Sequence, residues 1–152
     1  MEKGMHGRNQ NIEEILDSGK TVQISPQGYS MYPVILPGRD EVILRKEDPE
    51  KLKRGDVALY RRDGGILVIH RICRKDGAGF YMVGDNQTEV EGPLRPDQIR
   101  GRMVALVRKG KVIDVRSPFY RIPCSIWLLM RPVRRPVSLA AAAVKRFLKK
   151  HS

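Results

Sequence analysis

A chain of 152 residues and 17.3 kDa can bury one core of useful size, so one principal domain with an appendage is expected. With 41% hydrophobic and 30% charged residues the disordered class is excluded, and two cysteines, Cys73 and Cys124, with three scattered histidines give neither a disulfide framework nor zinc-ligand spacing. The formal charge of +12 is uneven, since residues 117–152 hold eight basic residues and no acid, which points that segment toward a polyanionic partner.

In chain order, Asn11 followed by Glu14, with Ile12, Ile15 and Leu16 apolar and Gly19 just after, predicts a short capped helix of at most two turns. The "SGKT" that follows lacks the glycine a phosphate loop needs at position 14. From Thr21 the period changes to two: TVQIS, EVILR, DVALYR, ILVIHRIC, FYMVGD, MVALV and KVIDV are short, β-branched and separated by turn signals. Asp63-Gly64-Gly65, Asp76-Gly77 and Lys109-Gly110 each lie between two such runs and predict hairpins. The fold expected is therefore mainly β, of antiparallel strands, with a helical lead-in over 1–20, a β domain over 21–116 and a basic, proline-containing tail over 117–152. In that tail Val137, Ala140, Ala141, Val144, Phe147 and Leu148 recur at helical spacing beyond Pro136, opposite Lys145, Arg146, Lys149 and Lys150. Such a helix either lies in an anionic membrane interface or covers an open face of the β domain. Nucleic acid is disfavoured as the partner, because no helix-turn-helix, finger or base-stacking module accompanies the charge.

Three stretches stand apart from the strand pattern: "GYSMYPVILPGRDEV", "VIHRI" and "VGDNQTEVEG". Ser30 lies between Gly28 and Pro33, in the kind of tight loop that carries function. A serine hydroxyl needs a base, and His70 is the one histidine in the middle of the chain. Such a base needs an acceptor on its other nitrogen, which Asp85 or Glu91 could supply. Each residue also has a plainer reading, as a turn hydroxyl, a satisfied core histidine and a Gly-Asp-Asn turn.

Gly28 to Pro33, Gly55-Asp56-Val57 with Tyr60, Val68 to Ile72, Gly84-Asp85-Asn86 and Ile99-Arg100-Gly101 come in the order and spacing of the signal-peptidase and repressor-protease superfamily, which the stretch from Thr21 to Val115 resembles. Signal peptidases of the bacterial type use a lysine base. With His70 followed by Arg71, this chain is similar to the histidine branch found in endoplasmic-reticulum, archaeal and sporulation-type enzymes. The resemblance implies a serine endopeptidase that cleaves leader or precursor peptides without a cofactor. Ser30 would be the nucleophile and His70 the general base, and either Asp85 or Glu91 would orient the histidine. The Ser30 backbone N–H would serve as oxyanion donor, with substrate lying extended beside Met31. Gly28 departs from the pattern, because signal peptidases often carry a hydroxyl two residues before the nucleophile.

No apolar run reaches the roughly 18 residues of a spanning helix, and no apolar region follows the charged N-terminus. The expected location is therefore cytoplasmic, peripheral on the inner face of the membrane. A self-cleaving repressor is disfavoured, since the residues ahead of the first strand are too few for a helix-turn-helix domain. The remaining alternative keeps the fold without the chemistry, as a peptide- or membrane-binding module.

Overall fold

The computed structural model describes residues 11–132 and 144–150. Helix α1, residues 11–17, buries Leu16 completely and lays Ile12 and Ile15 against the core. Gly19 ends it with φ +86°, donating its N–H to Leu16 O at 3.0 Å, a left-handed closure that glycine adopts without a Cβ penalty.

Eight strands follow: β1 (Val22–Ile24), β2 (Asp40–Arg45), β3 (Val57–Arg61), β4 (Leu67–Asp76), β5 (Gly79–Val83), β6 (Glu91–Leu94), β7 (Ile99–Arg108) and β8 (Lys111–Asp114). They form one antiparallel sheet in the order β1-β2-β7-β3-β4-β5-β6, with β8 also paired to β7. The three predicted hairpins join β3 to β4, β4 to β5 and β7 to β8. In the last of these Lys109 and Gly110 have φ of 53° and 75°, the paired positive values of a type I′ turn.

Strand β3 reads Val-Ala-Leu-Tyr without alternation because both of its faces are covered. Val57 and Leu59 enter one core with Leu16, Met31, Ile35, Val42, Leu44, Met103 and Leu106; Ala58 and Tyr60 enter a second with Leu52, Ile72, Phe80, Met82 and Leu94. This division decides what the neighbouring strand β4 can present to each side.

Helix α2 (Pro118–Leu129) closes the first core with Tyr120 and Cys124 and also buries Leu128. The sequence masks it, with prolines at both 118 and 123 and apolar residues all round. A helical tail beyond Pro136 was expected. Residues 144–150 are helical and exposed, so this part does not cover the sheet, while 133–143 lie outside the described residues. Among the described residues no helix is long and apolar enough to cross a membrane.

Asp40, at the start of β2, is buried with its carboxylate between Arg39 and Arg108, and also accepts the Leu36 N–H at 2.9 Å. Burial alone would raise its pKa; the two guanidiniums and the amide override this and hold it at about 2, against an ordinary 3.8. Because the folded value is the lower one, the stability is present above pH about 4 and is lost as the pH falls through about 2, and at neutral pH it amounts to about 2 kcal/mol. Urea unfolding of Asp40→Asn should therefore show a deficit near neutrality that shrinks in acid, and a deficit independent of pH would contradict this account.

Candidate functional site

The Ser30 loop is held from below. Met31 and Ile35 are sunk in the first core, and the Ile35 N–H donates to Met31 O at 2.9 Å, while Tyr29 and Tyr32 on either side of the serine are exposed. Met31, expected beside the substrate, thus anchors the loop and contributes to a cavity wall. Gly28 has φ +75° with open space where a Cβ would stand, so no side-chain hydroxyl is offered there. Among the described residues the Ser30 N–H has no acceptor, which leaves it free to donate.

The serine loop rests on the segment that follows β5. The Asn86 N–H donates to Ser30 O at 2.8 Å, and a Cβ built on Gly84 would lie 2.5 Å from that same oxygen, so a residue without a side chain is what permits this approach. The β4–β5 ladder ends at Arg71 opposite Val83, so the segment that touches the Ser30 backbone leaves β5 directly after the residue paired with the neighbour of His70.

His70 faces the second core. It pairs with Ala58 across β3, and Tyr60, two residues further on and on the same face, brings its hydroxyl 3.1 Å from His70 Nδ1. The Tyr60 hydroxyl donates to Glu91 Oε2, and Glu91 is also held by Arg62 at 2.7 Å. Burial, reinforced by Glu91, raises the Tyr60 pKa above its ordinary 10, so the hydroxyl keeps its proton. Glu91, with burial opposing and Arg62 and Tyr60 favouring its charge, sits below the ordinary glutamate range and accepts that proton's hydrogen bond as a carboxylate. With its one hydrogen committed to Glu91, the Tyr60 oxygen can only accept from His70. Neutral His70 then carries its proton on Nδ1 and offers a lone pair on Nε2, the arrangement a general base requires.

Burial, 5% exposure for the residue, holds the His70 pKa below 6.5; the charges of Glu91 and Asp85 oppose the shift and Arg62 adds to it. The folded state thus favours the neutral base, and His70 contributes stability above pH about 6.5 that is lost as the unfolded chain takes up the proton below it. In 15N-resolved imidazole spectra, His70 should show an Nδ1–H tautomer and a midpoint below 6.5. Tyr60→Phe should mix the tautomers, and an unchanged tautomer in that variant would mean Tyr60 does not set it.

The two acids divide their work. Asp85, completely buried, makes a two-pronged pair with Arg71, both contacts at 2.8 Å, on the first-core side of β4 where Tyr120 OH also meets the guanidinium. Burial works against the Arg71 charge, and the Asp85 carboxylate more than compensates, leaving the guanidinium pKa raised. Asp85 thus pairs with Arg71 while lining the same cavity as His70, and Glu91 reaches the imidazole by hydrogen bonds through Tyr60. The Trp127 indole donates to Asp85 O at 2.7 Å, so α2 holds this loop from the other side.

Ser30 Oγ and His70 do not hydrogen-bond to one another among the described residues. Ser30 lines a mostly apolar cavity of about 620 Å³ with Ile24, Gly28, Leu59 and Ile69; His70 lines a more polar one of about 750 Å³ with Arg62, Gln87, Glu91 and Trp127. The two are linked through Asn86, which lines the polar cavity and bonds the serine of the other. Tyr60, Arg62, Arg71 and Trp127 were not singled out as site residues from the sequence. The register of the Asp63-Gly64-Gly65 hairpin would have found Tyr60, because it sets Tyr60 opposite Val68 and so diagonal to His70.

No protein-family model matches the chain, and no curated protein matches its sequence.

Proposed function

We propose that the protein is a serine endopeptidase of the signal-peptidase-like type that cleaves leader or precursor peptides. The observation that carries this is the hydrogen-bond line from Glu91 through Tyr60 to His70 Nδ1, which prepares the other imidazole nitrogen as a base beside the strand end that supports Ser30. Ser30 Oγ attacks the scissile carbonyl as His70 takes its proton; the Ser30 N–H stabilises the oxyanion; His70 returns the proton to the leaving amine. Water, deprotonated by the same imidazole, then releases the acyl group. Catalytic hydrogen bonds of this kind are commonly long before substrate arrives and tighten around it. The apolar cavity beside Ser30 suits an uncharged substrate side chain. In this reading the enzyme works on the cytoplasmic side, peripheral to the inner leaflet, in keeping with the cationic excess of residues 117–152.

One observation favours a second reading. Ser30 and His70 line different cavities, as they could in a peptide-binding module that does no chemistry. The test is to incubate the protein with a proteome-derived peptide library and sequence the new termini for wild type, Ser30→Ala and His70→Ala. New termini in the wild type alone support the peptidase. Identical termini in all three, with peptides retained on the protein, leave the binding module.

A further inference from the structure

Helix α2 has two apolar faces and uses only one. Tyr120, Cys124 and Leu128 point into the core, while Phe119, Ile122, Ile126 and Leu129 form a stripe on the far side at spacings of three and four, with Phe119 92% exposed and the others between 53% and 65%. The stripe runs about 15 Å along the helix at the standard rise per residue. A helix with an apolar stripe on each of two opposite faces ordinarily has both covered. Among the described residues nothing covers the outer one here.

The charge around the stripe indicates what does. Arg116, Arg121 and Arg131 lie before, within and after α2, and 117–152 has no acid. The second described stretch of the tail repeats the pattern, with exposed Val144, Phe147 and Leu148 among Lys145, Arg146, Lys149 and Lys150. A protein partner reading an apolar stripe needs a matching groove. An exposed stripe of aromatic and branched aliphatic side chains in a segment with no acid of its own, where Arg121 also comes within 4.0 Å of Asp56, fits a bilayer carrying negative headgroups, where apolar groups enter the acyl boundary and arginines and lysines meet phosphates.

We propose that the outer face of α2 docks on an anionic lipid bilayer through Phe119, Ile122, Ile126 and Leu129, with the cationic residues of 117–152 engaging the headgroups. This surface rests on the membrane-peripheral placement proposed above, and shares no residue with the Ser30–His70 site, so vesicle binding and peptide cleavage can fail separately. It places α2, whose Trp127 holds the Asp85 loop, directly against the membrane.

The test is co-flotation of the full chain with vesicles of phosphatidylcholine alone and of phosphatidylcholine mixed with phosphatidylglycerol. Binding to the mixed vesicles only, weakening as salt is raised, is expected. Phe119→Asp with Ile126→Asp should reduce partitioning about ten-fold or more while leaving thermal unfolding unchanged, because both side chains are exposed in the free protein. Lys149→Glu with Lys150→Glu should weaken binding to anionic vesicles, and Ser30→Ala should bind as the wild type does. Absence of binding to the mixed vesicles, or binding that survives Phe119→Asp with Ile126→Asp, would overturn the proposal. So would self-association lost in that variant without any vesicle binding, which would assign the stripe to a second copy of the chain.

Discussion

Ser30→Ala and His70→Ala are each expected to lower the rate of peptide cleavage by about four to six orders of magnitude, and the double variant to lose little more than either alone. A nucleophile and its base act as a unit: without Oγ the imidazole has no proton to take, and without the imidazole the hydroxyl stays a weak nucleophile. What remains is binding and the Ser30 N–H, which both variants keep. Single-turnover rates on the best peptide from the library would measure it. Losses that multiply in the double variant would show two independent roles. A His70→Ala loss below about ten-fold would show that another group activates the serine.

The second large effect is on stability. Asp85→Ala is expected to cost about 3–5 kcal/mol in urea unfolding, because it strands a guanidinium that is 1% exposed with no carboxylate beside it. The Arg71→Met, Asp85→Leu double variant should recover most of that loss, since two apolar side chains of similar bulk need no partner there. Completing the cycle with Arg71→Met gives the coupling between the two residues. A loss under about 1 kcal/mol for Asp85→Ala would mean that water or the Gly55 and Tyr120 oxygens, which also meet this guanidinium, are sufficient for it.

The β domain was legible in the sequence where a strand has one wet face or a strong turn beside it. Strand β2 alternates as Asp40, Val42 and Leu44 turn inward, and the three glycine turns mark their hairpins without help from distant contacts. Strand β6 was not legible, because Glu91-Gly92-Pro93-Leu94 has neither alternation nor β-branched residues and is held in the sheet through Phe80 and Met82 of β5. Helix α2 was missed because its prolines read as breaks, although Pro118 occupies a first-turn position where a missing N–H is harmless.

For the site, the motifs pointed to Ser30, His70, Asp85 and Glu91 as candidates, and left open which acid serves the histidine. That assignment depends on which side of β4 each acid reaches, and a side is a tertiary fact. His70 and Arg71 are neighbours in sequence and so face opposite ways. Glu91 arrives on one side by way of β6, and Asp85 on the other by way of the loop after β5.

That opposition also works as a lock on alignment. A slip of β4 by one residue would turn Arg71 away from Asp85 and bring His70 or Ile72, according to the direction, into its place, leaving a buried carboxylate without its cation. Adjacent residues with unlike chemistry, each answered by a different partner on its own side, make the strand readable in one alignment only. The pair Arg71 and Asp85 therefore need never touch a substrate to matter for the site: by fixing the frame of β4, they decide that His70 faces Tyr60 and Glu91.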